Sequence, residues 1–91
     1  MLLNKDKPQT FVEFAESKGI QLLKDDLVWI KELTKHVPIE QKRTILRRYI
    51  DEWCVAMAEC ERVIKRQNEG RKAANTYLRE MIHATRNSEV V

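Results

Sequence analysis

Residues 38–86 read PIEQKRTILRRYIDEWCVAMAECERVIKRQNEGRKAANTYLREMIHATR, and the way their apolar residues repeat decides the fold. Counting by sevens from Leu46 gives Leu46, Trp53, Cys60, Gln67, Ala74 and Met81. Three positions beyond each stand Tyr49, Ala56, Val63, Gly70, Tyr77 and Ala84. Ile50, Met57, Ile64 and Leu78 widen this seam to the breadth of a core-facing helix. The alternation by two that a strand needs is missing. Helix is therefore predicted from Pro38, whose absent N–H suits a first turn, to Arg86, with Glu40 supplying first-turn negative charge.

Asn68 and Gly70 are the candidate interruption, because glycine readily takes the left-handed conformation that ends a helix. The seam keeps its phase across Gly70, however, and neither Arg71 nor Lys72 is a good N-cap. The expectation is one long helix, kinked at most at Gly70. Unbroken, it would run roughly 70 Å, longer than one small globule can cover, so another copy or a partner would have to bury the exposed seam. A break at Gly70 would instead allow a compact monomer.

Outward from this stretch, the chain predicts two shorter helices. Thr10 with Glu13 three residues on forms a capping box opening a helix over 10–18, with Phe11, Phe14 and Ala15 on its apolar side and Lys18 and Gly19 at its end. Ile20 to Leu23 form a packed connector. Asp25 or Asp26 caps a second helix over 25–36, with Leu27, Ile30 and Leu33 facing inwards. Val37 precedes proline and is pushed out of helical geometry, which fixes the boundary. Residues 1–9 read as a loose N-terminus and 87–91 as a tail. The fold class is all-α: two short helices packed on one long C-terminal helix, in a single domain.

With 91 residues the core is small, and two glycines and two prolines suit a helical chain. The N-terminus holds no signal-peptide run, and no segment reaches a membrane span's length. The sequence thus predicts a soluble, cytoplasmic chain without membrane contact. Cys54 and Cys60 lie six apart, about 9 Å along a helix axis, which is too far for a local disulfide.

The net charge is +3, and residues 62–86 hold seven Lys or Arg against two Glu. Arg62, Lys65, Lys72, Arg79 and Arg86 fall on the face opposite the seam, a cationic ridge of the kind that tracks a phosphate backbone and releases its counterions. A solvated outer face has the same composition. A second basic group, Lys42, Arg43, Arg47 and Arg48, is followed at once by Asp51, Glu52, Glu59 and Glu61, which can pair with it. Trp53, Met57, Cys60, Ile64, Gln67, Arg71, Ala74, Leu78 and Met81 form the expected oligomer or partner interface, with Gln67 and Arg71 as polar interruptions that set register. Asn68, Gly70 and Asn75 are costly inside a helix, which marks 68–75 either as a hinge or as a place where Gly70 admits another backbone.

Glu80 and His83 have the spacing of a carboxylate–histidine metal pair, but a di-metal site needs two such pairs, so no metal is expected. No nucleophile has a base to activate it, no glycine-rich loop cradles a phosphate, and no cofactor is implied. Two functions remain in view. One is a non-enzymatic, homo-oligomeric protein engaging nucleic acid or a nucleoprotein complex through the ridge. The other is a protein-binding adaptor or inhibitor, of the accessory type that phages and mobile elements encode, acting through the seam.

Overall fold

The computed structural model describes residues 10–90, with side chains placed through Arg86; the expected loose segment 1–9 lies outside the described residues. Four α-helices follow in order: α1 (Phe11–Ser17), α2 (Lys24–Thr34), α3 (Ile39–Glu59) and α4 (Arg66–Val90), with a short 3-10 turn at Val63–Lys65 before α4. No strand occurs among the described residues.

The long helix expected over 38–86 is two helices. The chain leaves α3 at Cys60 (φ −84°, ψ 119°) and stays extended at Arg62 (φ −92°, ψ 110°) before turning back. The hairpin is antiparallel: Tyr49 bonds to Asn75, Trp53 packs on Gly70, and Ile45 shares a groove with Met81 and Thr85. Helices draw most of their stability from burying an apolar face, and folding back gives α3 that cover within one chain. Trp53, Tyr49, Ile50 and Leu78 become fully buried, each contributing on the order of 1.5–3 kcal/mol. The break therefore answers the length argument for a second copy. The longest dimension is 46 Å, well short of the predicted rod.

Side chains and backbone in the turn satisfy the helix ends. Cys60 N–H donates to Met57 O (3.3 Å), Arg66 Nε donates to Cys60 O (3.2 Å), and Lys65 N–H donates to Arg62 O (2.9 Å). Helix ends otherwise leave such groups unpaired. Gly70 does not break the helix, since α4 runs continuously through it. The tail expected from residue 87 is also helical as far as Val90, because Asn87, Ser88 and Glu89 bring no glycine or proline to stop it.

At α1 the expected capping box is present, with Thr10 N–H donating to Glu13 Oε1 (3.0 Å) and Glu13 N–H to Thr10 Oγ1 (3.1 Å). The helix ends in a Schellman arrangement: Ile20 N–H donates to Ala15 O and Gly19 N–H to Glu16 O, with Gly19 at φ 80°. Only glycine takes that conformation without strain. Ile20 and Ala15 are both buried, closing the apolar contact that accompanies this motif. The second helix starts slightly earlier than expected. Leu23 is its cap residue, and Asp26, instead of preceding the helix, sits in its first turn and accepts the Leu23 N–H (2.8 Å).

The first helix lies on α3, with the Phe11 and Tyr49 rings 6.2 Å apart and the Arg47 guanidinium 4.9 Å over Phe14. The second docks on α4 through Asp26 and Trp29.

Candidate functional site

The inner face of α4 is built from small residues set against large ones. Gly70 and Ala74 are buried where α3 brings Trp53 and Tyr49, and Leu78 and Ile82 continue the same line at intervals of four. A Cβ on Gly70 would lie 2.9 Å from Trp53 Cγ and closer still to Cδ1 and Nε1, so the glycine is required by the indole. What meets Gly70 is the side chain of this chain's own Trp53, and not the second backbone that the sequence suggested. The Trp53 N–H is buried with no acceptor among the described residues. Loss of one such bond costs about 1–3 kcal/mol, a penalty that the burial of the large ring offsets.

Around this contact runs a polar latch. Arg71 donates through Nε to both carboxylate oxygens of Asp26 (3.1 and 3.0 Å), through Nη2 to Gln21 O (3.0 Å), and through Nη1 to Asn68 Oδ1 (3.3 Å). Its guanidinium also lies 5.0 Å over the Trp53 ring. Gln67 brackets the connector, donating to Gly19 O (2.9 Å) and accepting from Gln21 N–H (3.0 Å). The connector has no helix or sheet to satisfy its backbone, and these side chains supply the partners it needs. Gln67 and Arg71 thus fix the fold within the chain.

The Tyr49 hydroxyl donates to Asn75 Oδ1 (2.7 Å). Burial raises the Tyr49 pKa strongly; the Asp26 charge adds to the shift and Arg71 opposes it. Burial likewise raises the Tyr77 phenol and the Cys54 thiol. Both cysteines are free thiols. Asn68 and Asn75, marked in the sequence together with Gly70, both accept hydrogen bonds within the chain, from Arg71 and from Tyr49.

The outer face of α4 is different. Lys72, Arg79 and Arg86 are exposed and recur every seven residues. The three ion pairs among the described residues, Lys35–Glu32, Arg48–Glu52 and Arg71–Asp26, involve none of them. Arg79 lies 6.0 Å from the half-buried Trp29 ring. Arg62 and Lys65 are exposed but belong to the turn. The single ridge expected from Arg62 to Arg86 is thus a helical row of three plus two cations at the hairpin tip, because the chain leaves helical geometry at Cys60. In the second basic group, Arg48 pairs with Glu52 (3.2 Å) and lies 5.8 Å over Tyr77.

The residues read as an interface are dispersed. Trp53, Ala74 and Leu78 have no accessible surface, Met57 and Met81 are half-buried against the core, and Cys60 is half-buried in the turn. Ile64 is 86% exposed at the tip. Glu80 and His83 are both exposed, and no group of three metal-ligating side chains occurs among the described residues. Two open grooves mark the hairpin: about 570 Å³ beside Glu40, Ile45 and Met81, and about 510 Å³ beside Glu52, Lys72, Tyr77 and Glu80. No described helix is long and apolar enough to cross a membrane.

No protein-family model matches the chain, and neither the curated proteins nor the solved structures contain a significant match.

Proposed function

We propose that this chain is a non-enzymatic binding protein that takes nucleic acid along the outer face of α4. The observation that carries this reading is the row of Lys72, Arg79 and Arg86, exposed and without a carboxylate partner among the described residues. Successive cations stand about 10.5 Å apart along the helix, roughly three phosphate spacings of one strand. Arg62 and Lys65 extend the positive surface around the tip. Such contacts hold the backbone and give affinity with little sequence preference. A protein-binding adaptor working through the apolar seam would need Trp53, Ala74 and Leu78, which are buried in the chain's own core.

The test is binding to labelled single- and double-stranded DNA and to RNA, with light scattering reading the homo-oligomer expected from the sequence. Three to five phosphate contacts predict an affinity for duplex DNA that falls about 40- to 500-fold between 50 and 200 mM salt, and for single strands about 20- to 130-fold. Lys72→Glu, Arg79→Glu and Arg86→Glu together should abolish it. Absence of binding at 50 mM salt, or an affinity indifferent to salt and to these substitutions, overturns the reading.

A further inference from the structure

The hairpin tip carries an apolar pair that the fold does not use. Val63 is 72% and Ile64 86% exposed, the most exposed of the large apolar side chains among the described residues. Leu23, Val28, Ile39 and Val55 are also exposed, but they stand singly, which is ordinary for a protein surface. A turn between helices usually carries polar or turn-forming residues. Here two β-branched side chains stand next to each other at the outermost point and contribute little burial to the chain that holds them.

The turn presenting them is firmly built. Arg62 O accepts the Lys65 N–H (2.9 Å) and the Cys60 thiol (3.4 Å), the Arg66 N–H returns to Val63 O, and Arg66 Nε holds Cys60 O. β-Branched side chains also have little χ1 freedom to lose on contact. Arg62, Lys65 and Arg66 surround the pair, against Glu59 and Glu61, and all five are exposed. Lys72, the first cation of the row on α4, follows Lys65 by seven residues.

We infer that Val63 and Ile64 form a wedge that enters a base step of double-stranded DNA, with Arg62, Lys65 and Arg66 on the adjoining phosphates and the row on α4 following the strand. This rests on the nucleic-acid reading above and gives it a substrate class: duplexes with a base step already weakened by a bulge or mismatch. Proteins that insert apolar wedges between bases must overcome the stacking of that step, and the cost is least where the base is already mismatched. Charge complementarity favours this occupant, since the cations beside the pair match phosphates and the pair itself matches base faces.

The experiment compares a fully paired duplex with one carrying a single-nucleotide bulge, each with 2-aminopurine beside the step, whose fluorescence rises on unstacking. The intact chain should prefer the bulged duplex on the order of tenfold and brighten the probe. The Val63→Gln/Ile64→Gln variant should bind the paired duplex as before, with an unchanged melting curve, while losing both the preference and the brightening. If the variant keeps them, or if the intact chain shows neither while still binding paired duplex, the wedge is overturned and the row on α4 stands. If the variant loses affinity for both duplexes equally, the tip is an ordinary contact and the wedge is again overturned. Failure of the intact chain to bind any duplex or single strand removes the underlying reading together with the wedge.

Discussion

The two faces of α4 both carry long polar side chains and put them to opposite uses. On the inner side Gln67 and Arg71 reach across to Gly19, Gln21 and Asp26, partners at least 45 positions away in sequence. On the outer side Lys72 and Arg86 meet no carboxylate among the described residues, and Arg79 meets only the face of Trp29. The charge of a side chain says little about its role; what decides it is whether the fold brings long-range partners to it. Residues of the first kind should report on stability, and those of the second on binding.

Arg71 should show the largest stability effect. Its side chain is 21% exposed and that of Asp26 10%, so Arg71→Ala leaves a nearly buried carboxylate without its cation. We expect a loss of about 2–4 kcal/mol by urea unfolding, and Asp26→Ala with Arg71→Ala should cost clearly less than the two single changes summed. A loss near the 0–1 kcal/mol of a surface ion pair would erase the distinction between the two faces.

Gly70→Ala comes next and is decided by its sign. At an open helical site the exchange would stabilise by about 1 kcal/mol. Against the Trp53 ring the added methyl must displace a packed side chain, and overpacking costs about 1–3 kcal/mol. The contact in the structure predicts net destabilisation, read in the same unfolding experiment; a more stable variant would show that α3 and α4 do not meet where the structure puts them.

These two residues also show what the sequence could and could not reveal. The all-α class, the Thr10 box and the boundary at Pro38 depend on neighbours within a few positions, so they were legible. The hairpin was not, because Cys60-Glu61-Arg62 contains neither glycine nor proline, and its extended backbone is imposed by the burial that folding back secures. One signal was available. Gly70 and Ala74 lie as far beyond residues 61 and 62 as Trp53 and Tyr49 lie before them, and the spacing of four through Leu78 and Ile82 departs from the sevens. Small residues facing large ones across a common centre indicate an antiparallel pair. Gln67 and Arg71 were recognised as unusual, but their partners on the connector are set by tertiary structure alone. The cationic row was legible from Lys72 onward, where helical spacing holds; Arg62 and Lys65 instead lie in the turn before α4.

The buried end of the latch should titrate. A phenol in the unfolded chain loses its proton near pH 10.0, whereas native Tyr49 holds its proton longer because it is buried and close to Asp26. Below pH 10 both states are protonated and the contribution to stability is complete. Above it the unfolded state binds fewer protons than the native one, so stability falls as pH rises. Phenolate absorbance should therefore appear in two stages, the second coinciding with loss of helical signal. Tyr49→Phe should remove the second stage and, by leaving Asn75 without its donor, cost about 1 kcal/mol at neutral pH.

The smallest stability effect is expected on the outer face. Lys72→Gln and Arg86→Gln remove charges that touch no partner in the described structure, so each should change stability by no more than about 0.5 kcal/mol. Arg79→Gln adds the loss of its approach to Trp29, about 0.5–1 kcal/mol for an exposed cation over an aromatic ring. Combined, the three substitutions should lower stability by about 1 kcal/mol, most of it from Arg79, which is short of the loss expected for Arg71→Ala. That margin gives the binding experiment its meaning, because a folded triple variant that no longer holds nucleic acid has lost a surface and not a structure. A triple variant that unfolds like Arg71→Ala would place the row among the residues that hold the fold together, and the contrast between the two faces of α4 would disappear.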